Sequence, residues 1–190
     1  MKHRRNGGFT LVELLIVILI IGILAGLVLL AVGEARDNAE ATRIVNDLRV
    51  LSSAARMYYV DKGEWPASVR PNAINISDEV LEDLLAYLDR PLDMTRYGDI
   101  VRNATGTSVD GVMDSDVICI GFLFDGSRGN NPNNTRLKRG VVAKIAKNAA
   151  STGVYGGVSN SRGSSISRSF RVPSEADLQN NAFLLTMQVN

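Results

Sequence analysis

The chain has 190 residues, 45% of them hydrophobic, with 21 basic against 20 acidic side chains. That length holds one globular domain with an appendage. One cysteine, Cys119, excludes an intramolecular disulfide framework and a multi-cysteine zinc site, and one histidine, His3, leaves everything after it without an imidazole for a Ser-His-Asp triad, a Cys-His dyad or a His-ligated metal.

Lys2, Arg4 and Arg5 precede an apolar stretch from Phe9 to Val32, and from Leu14 to Val32 no side chain is polar. As a helix the stretch is roughly 36 Å long, enough to cross a hydrocarbon core of about 30 Å with some tilt. The leader is positive, whereas Gly33–Arg43 carries Glu34, Asp37 and Glu40 against Arg36 and Arg43. The positive-inside rule then places the N-terminus in the cytoplasm and the remainder outside. A secretory signal peptide has an apolar region of only about 7–15 residues, and neither it nor a plain anchor accounts for Glu13. A carboxylate in such a segment costs on the order of 2.5–3.5 kcal/mol at the bilayer centre and less near its edge. No residue from Leu11 to Val32 offers it a positive charge. A cut between Gly8 and Phe9 creates one: the new α-amine lies at membrane depth, able to neutralise Glu13 of an adjacent copy.

Gly8-Phe9-Thr10-Leu11-Val12-Glu13-Leu14 resembles the cleavage motif of type IV pilins and type II secretion pseudopilins. The resemblance implies that a prepilin peptidase cuts after Gly8 and methylates Phe9, and that Glu13 guides subunit assembly. It implies as partners other copies, related pilin-like subunits, an inner-membrane assembly platform and membrane lipid. Gly22 and Gly26 form G-x-x-x-G, which either permits close helix approach in lipid or reflects the frequency of small residues in membrane helices. Leu30 stands where many of these proteins carry proline.

Past the membrane, Ala41, Ile44, Leu48, Leu51, Ala55 and Tyr58 recur at steps of three and four, while Arg36, Asp37, Glu40, Arg43, Asp47 and Arg56 fall mostly elsewhere. This predicts one continuous helix over about 9–60, amphipathic in its second half. Gly63 and Pro66 end it, and Tyr58-Tyr59 followed by Gly63, Trp65 and Pro66 resembles the end of the major pseudopilin's long helix. Ser77 is a candidate cap for a helix with Asp78 and Glu79 in its first turn and Leu81, Leu84, Leu85 and Leu88 on its apolar face. Val117–Phe124 reads as a buried strand, with Cys119 as an inert core residue. A loop follows over 125–140, then a helix over 141–150 stopped by Gly153, a small polar stretch over 161–165, an edge strand over 166–172 and a final strand over 182–189. The organisation is a leader (1–8), an apolar membrane and assembly half-helix (9–32), an amphipathic half-helix (33–60) and a head (61–190). The fold class is α+β: a long helix packed on a small antiparallel sheet.

Asp110, Asp114 and Asp116 cluster in a glycine-containing loop, a donor set suited to calcium and the one candidate for a bound ion. No Walker loop, dinucleotide fingerprint or nucleophile elbow is present, so no catalytic residue is assigned. The near-neutral total hides a division: Asp61–Asp125 has thirteen acids and five bases, a balance of −8, and Gly126–Ser174 has nine bases and no acid, a balance of +9. Basic runs bind nucleic acid, but Tyr155 and Phe170 are the only aromatics here, thin for a platform that stacks bases. The alternative is that the two halves neutralise each other, within one head or between neighbouring subunits.

The sequence therefore reads as a non-enzymatic structural subunit of a type IV pilus-like filament, single-pass in the inner membrane with its head outside the cytoplasm. A type II secretion pseudopilin is preferred, for the helix ending and because one cysteine allows no C-terminal disulfide loop. The alternatives are a pilus or DNA-uptake pilin and, in another class, a membrane-anchored extracytoplasmic enzyme.

Overall fold

One helix, α1 (Leu11–Lys62), links the apolar stretch to the rest of the chain without a break. The computed structural model describes residues 9–66, 76–93, 96–97, 99–102, 107–109, 117–125, 137–160, 163–180 and 182–190. By their contacts these fall into two compact units, one ending at Arg36 and the other running from Asp37 to Asn190. In the first unit every described side chain is exposed. In the second, α1 buries Ala41, Ile44, Val45, Leu48, Leu51, Ala54, Ala55 and Tyr58, a stripe at helical spacing. Gly63 takes the left-handed conformation (φ 77°) and its N–H donates to the Tyr59 carbonyl at 2.9 Å, which closes the helix. The Trp65 ring then stacks on Tyr59, centroids 4.4 Å apart.

Two shorter helices complete the cover, α2 (Asp78–Leu85) and α3 (Arg139–Thr152), with a further turn of helix, α4 (Glu175–Asn180), before the last strand. Ser77 occupies the N-cap position of α2 with extended backbone, but its hydroxyl caps nothing: it is buried and has no hydrogen-bond partner among the described residues. At the other end of α3, Gly153 takes φ 73° and its N–H returns to the Ala149 carbonyl.

The sheet has strands β1 (Asp99–Arg102), β2 (Thr107–Val109), β3 (Cys119–Asp125), β4 (Val154–Asn160), β5 (Gly163–Ile166) and β6 (Ala182–Gln188), in the order β1-β3-β6-β4-β5-β2. It is the antiparallel sheet the sequence predicts, with one parallel pair, β2 with β5, at its edge. Alternate residues of β3 and β6 serve two cores. Ile120, Phe122, Phe124, Phe183 and Leu185 pack with the α1 stripe and α3, while Cys119, Leu123 and Leu184 join Val101, Tyr155 and Ile166 in a smaller cluster. Gly121 is required at the centre: a Cβ there would meet the Leu185 carbonyl oxygen and lie 2.5 Å from Thr186 Cα.

Two expectations change. The edge strand predicted over 166–172 contributes only Ile166 to β5, and Ser167 makes a single bridge to Gly156. Beyond it the chain turns, because the Phe170 ring lies over Gly156, 2.7 Å from where a Cβ would sit, and meets Phe183 edge-on. Asp47, expected among the polar positions of α1, is 1% exposed.

Candidate functional site: the start of the long helix

Phe9, the first described residue, is 88% exposed. Gly8 and the rest of the leader lie outside the described residues. Next to Phe9, Thr10 and Glu13 bond reciprocally. The Thr10 N–H and hydroxyl each donate to Glu13 Oε2 at 2.8 Å, and the Glu13 N–H donates to Thr10 Oγ1 at 3.2 Å. This is a capping box: it satisfies two helix-start donors and sets the carboxylate at the positive end of the α1 dipole. Oε2 takes both donors, and Oε1 accepts no bond from any described residue. The sequence signal for this was present as T-x-x-E ahead of an apolar run. Thr10, not among the site residues the sequence predicts, is the partner of Glu13 within the chain.

From Leu11 to Val32 the large apolar side chains are 40–85% exposed. Fully burying one such side chain is worth roughly 1.5–3 kcal/mol. Sixteen of them half-exposed forgo on the order of 20 kcal/mol, above the roughly 5–15 kcal/mol that holds a typical domain together. No soluble monomer leaves such a surface in water. The segment is the one described helix long and apolar enough to cross a membrane. On it, Gly22 and Gly26 have nothing within 4 Å of a Cβ position, so the G-x-x-x-G face is open to a neighbour.

The head holds its charge differently. The Asp47 carboxylate accepts hydrogen bonds from Arg90 and from the Tyr97 hydroxyl, with Arg43 Nε 3.8 Å away. Tyr97 is 1% exposed and stacked on Phe122 at 3.8 Å between centroids. Burial, and then the bond to Asp47, push its phenol far above the usual tyrosine range. Lower on the same flank Arg96 meets Asp93 and Glu40, and at its far end Lys62 meets Asp83 at 3.1 Å, which raises the lysine's pKa. These pairs hold α2 and the chain before β1 against α1. They form no catalytic constellation.

Asp110, Asp114 and Asp116, the candidate calcium ligands, lie outside the described residues, as do Arg128 and Arg136 of the basic segment. Among the described residues no group of three or more His, Cys, Asp or Glu could hold a metal. Both aromatics of the basic segment are engaged internally: Tyr155 is 4% exposed with Arg168 over its ring at 4.8 Å, and Phe170 covers Gly156.

Residues 3–29 match the family model of the prokaryotic N-terminal methylation motif. The type II secretion system core protein G of Klebsiella michiganensis is 38% identical over 68 residues, which is 36% of this chain and 48% of the relative. The protein of the same name from Pseudomonas aeruginosa is 37% identical over the same shares. A fimbrial protein of Neisseria meningitidis is 37% identical over 73 residues, 38% of this chain and 43% of the relative. The chain thus spans about half the length of the curated relatives it matches. No solved structure matches it. By motif and by relatives, the N-terminal segment is type IV pilin-like.

Proposed function

We propose that the chain is a structural subunit of a type II secretion pseudopilus. A prepilin peptidase cuts it between Gly8 and Phe9 and methylates Phe9. It waits as a single-pass inner-membrane protein with its head outside the cytoplasm, and an assembly platform extracts it into a filament with other copies and related subunits. It carries no catalytic activity of its own. The observation that carries this reading is the methylation motif over 3–29 running straight into a helix whose apolar surface is exposed from Leu11 to Val32: that surface needs lipid first and neighbouring helices afterwards. Glu13 supports it as well. Thr10 holds one carboxylate oxygen and leaves Oε1 open, so the charge is stabilised while a copy waits and remains available to a neighbour's Phe9 ammonium. The fimbrial relative supports a second reading, a subunit of a surface pilus, which uses the same processing and the same helix.

Mass spectrometry of the membrane-purified protein tests the processing step and should find a methylated Phe9 as the N-terminal residue. An intact Met1 would falsify it. The assembly role is tested separately. Glu13→Ala removes an acid from lipid and so inserts at least as well as the parent, yet it should give at least about ten-fold fewer filaments. Filament yield at the parent's level would show that Glu13 pairs with nothing between copies.

A further inference from the structure

On the flank of α1 opposite Asp47, Arg49, Ser52, Ser53 and Arg56 stand at i, i+3, i+4 and i+7 and so share one strip. With Arg168 and the end of β6 they line a cleft of about 530 Å³. A second cleft, about 320 Å³, continues along α1 toward Asn38; it shares Arg49 and adds Lys144. Neither is lined by an aspartate or glutamate side chain. Arg56 donates to the carbonyl oxygens of Val189 (3.0 Å) and Gln188 (3.4 Å), and Arg49 to the Asn46 side-chain oxygen (3.3 Å): neutral acceptors, and neither arginine makes an ion pair with a described aspartate or glutamate. Ser52 is 2% exposed, and its Oγ in the cleft wall has no hydrogen-bond partner among the described residues. Leaving a buried hydroxyl unpaired costs about 1–3 kcal/mol. Arg49 and Arg56, with no ion pair among the described residues, above a hydroxyl with no hydrogen-bond partner there, make a seat for carboxylates.

The same chain carries a complement. Asp78, Glu79 and Glu82 of α2 are exposed and have no ion-pair partner among the described residues, whereas Asp83 is taken by Lys62. Their spacing puts like charges three and four residues apart, which destabilises a free helix. In one copy the two features stand at different heights on α1. Lys62 bonded to Asp83, and Tyr58 against Tyr87, fix α2 at the end of the helix, while the larger cleft lies along Arg49–Arg56. At about 1.5 Å per residue, a second copy can bring its α2 to the cleft only if displaced along the axis by roughly 10–20 Å. Copies level with one another in a bilayer cannot do this, and copies stacked in a filament can.

We infer that the Arg49–Arg56 cleft is an interface site whose occupant is α2 of a second copy, with Glu79 and Glu82 meeting Arg49, Arg56 and Arg168. The contact is heterologous, the kind that propagates a filament, and its charges fix register more than they add affinity. The inference rests on the filament reading above. It also changes which cations serve: Arg49 and Arg56 come from the long helix, and only Arg168 comes from the basic segment 126–174.

The test uses the full chain in cells that process and assemble it, with Ser53→Cys combined with Glu79→Cys or Glu82→Cys. Cys119 is fully buried, so a short bismaleimide reaches only the introduced thiols. The paired variants should give a ladder of covalent multimers once filaments form, and each single-cysteine variant no more than a dimer. Arg49→Glu with Arg56→Glu should remove the ladder and lower filament yield at least about five-fold, and adding Glu82→Arg to the Glu79→Cys pair, or Glu79→Arg to the Glu82→Cys pair, should restore part of both. Arg49→Gln with Arg56→Gln serves should the reversal unfold the head, and should weaken the ladder without moving the melting temperature. Normal filaments without a ladder, a ladder indifferent to the reversals, or a loss that the acidic reversals do not restore each overturn the inference; the last identifies the occupant as another anion. Absence of filaments from the unsubstituted chain overturns the filament reading itself.

Discussion

Between Leu11 and Arg36, α1 exposes every described side chain; between Asp37 and Lys62 it buries eight apolar residues together with Asp47 and Ser52. The backbone is the same helix throughout, so the difference lies in what surrounds it. From Leu14 to Val32 the first half is apolar on all sides and carries no stripe, as a helix must when its environment is uniform. Among the described residues nothing covers it; on the proposed reading its neighbours are lipid or other copies. The second half has three distinct flanks: an apolar stripe against the sheet, an acidic side whose Glu40, Asp47 and Asp61 meet Arg96, Arg90 and Tyr87, and a basic side whose Arg49 and Arg56 meet no acid among the described residues. One half is specified by partners it has, and the other by partners it has yet to meet.

The sharpest way to break this comparison is a pair of matched truncations. Leu48 is fully buried and Leu19 is 58% exposed. Leu48→Ala should lower the unfolding free energy of the head by about 2–5 kcal/mol, through lost transfer energy and the cavity left behind. Leu19→Ala should leave it within about 0.5 kcal/mol. Denaturant unfolding of the detergent-solubilised full chain, followed by Trp65 fluorescence, measures both. A comparable loss from Leu19→Ala would mean that the first half packs on its own chain after all.

How much of this was legible in the sequence follows from the same division. The elements that announce themselves are long or fully apolar: α1, α3, β3 and β6 were all readable, because each buries a regular pattern. The strands β1, β2, β4 and β5 were not. β4 contains Gly156 and Gly157, β5 is Gly-Ser-Ser-Ile, and both are strands because β6 and each other supply the ladder, not because of propensity. Asp47 reads as a surface acid because nothing in its neighbourhood reveals Arg90 and Tyr97, 43 and 50 residues away. The N-terminal motif was legible, since Gly8, Phe9 and Glu13 sit in one contiguous run within the residues 3–29 that match the methylation motif. The basic cleft was not, because it draws on α1, α3, the chain after β5 and the end of β6.

A second prediction sharpens the acidic flank. Tyr97→Phe keeps the stacking on Phe122 but removes the hydroxyl bond to Asp47, and should cost about 1–2 kcal/mol. It should also change the response to alkali. The folded-state pKa of Tyr97 is raised, so the folded head holds that proton more tightly than the unfolded chain. The contribution is full below the ordinary tyrosine pKa of about 10 and is lost as pH rises beyond it, at up to about 1.4 kcal/mol per pH unit. Unfolding free energies measured between pH 8 and 11.5 should fall more steeply above pH 10 in the parent than in Tyr97→Phe. Equal slopes would remove Tyr97 as the titrating group.

The smallest effect tests the first half at its polar N-terminal turn. Thr10→Ala deletes the hydroxyl that donates to Glu13 and accepts the Glu13 N–H, while leaving the Thr10 backbone donor and the motif residues Gly8, Phe9 and Glu13 in place. A lost N-cap costs about 1 kcal/mol. Among the described residues of the first unit nothing else packs against this turn, so the loss should stay local. Amide exchange at Leu11–Glu13 should rise about five-fold in the detergent-solubilised chain, and exchange in the head should not change. Thr10→Ser, which keeps the hydroxyl, should exchange like the parent. Glu13 itself is kept in all three, so on the filament reading a neighbour's Phe9 ammonium can still reach it, and filament yield should drop far less in Thr10→Ala than in Glu13→Ala. If the two variants assemble equally badly, the capping box does more than start the helix: the orientation that Thr10 imposes on the carboxylate would itself be the feature the neighbour recognises.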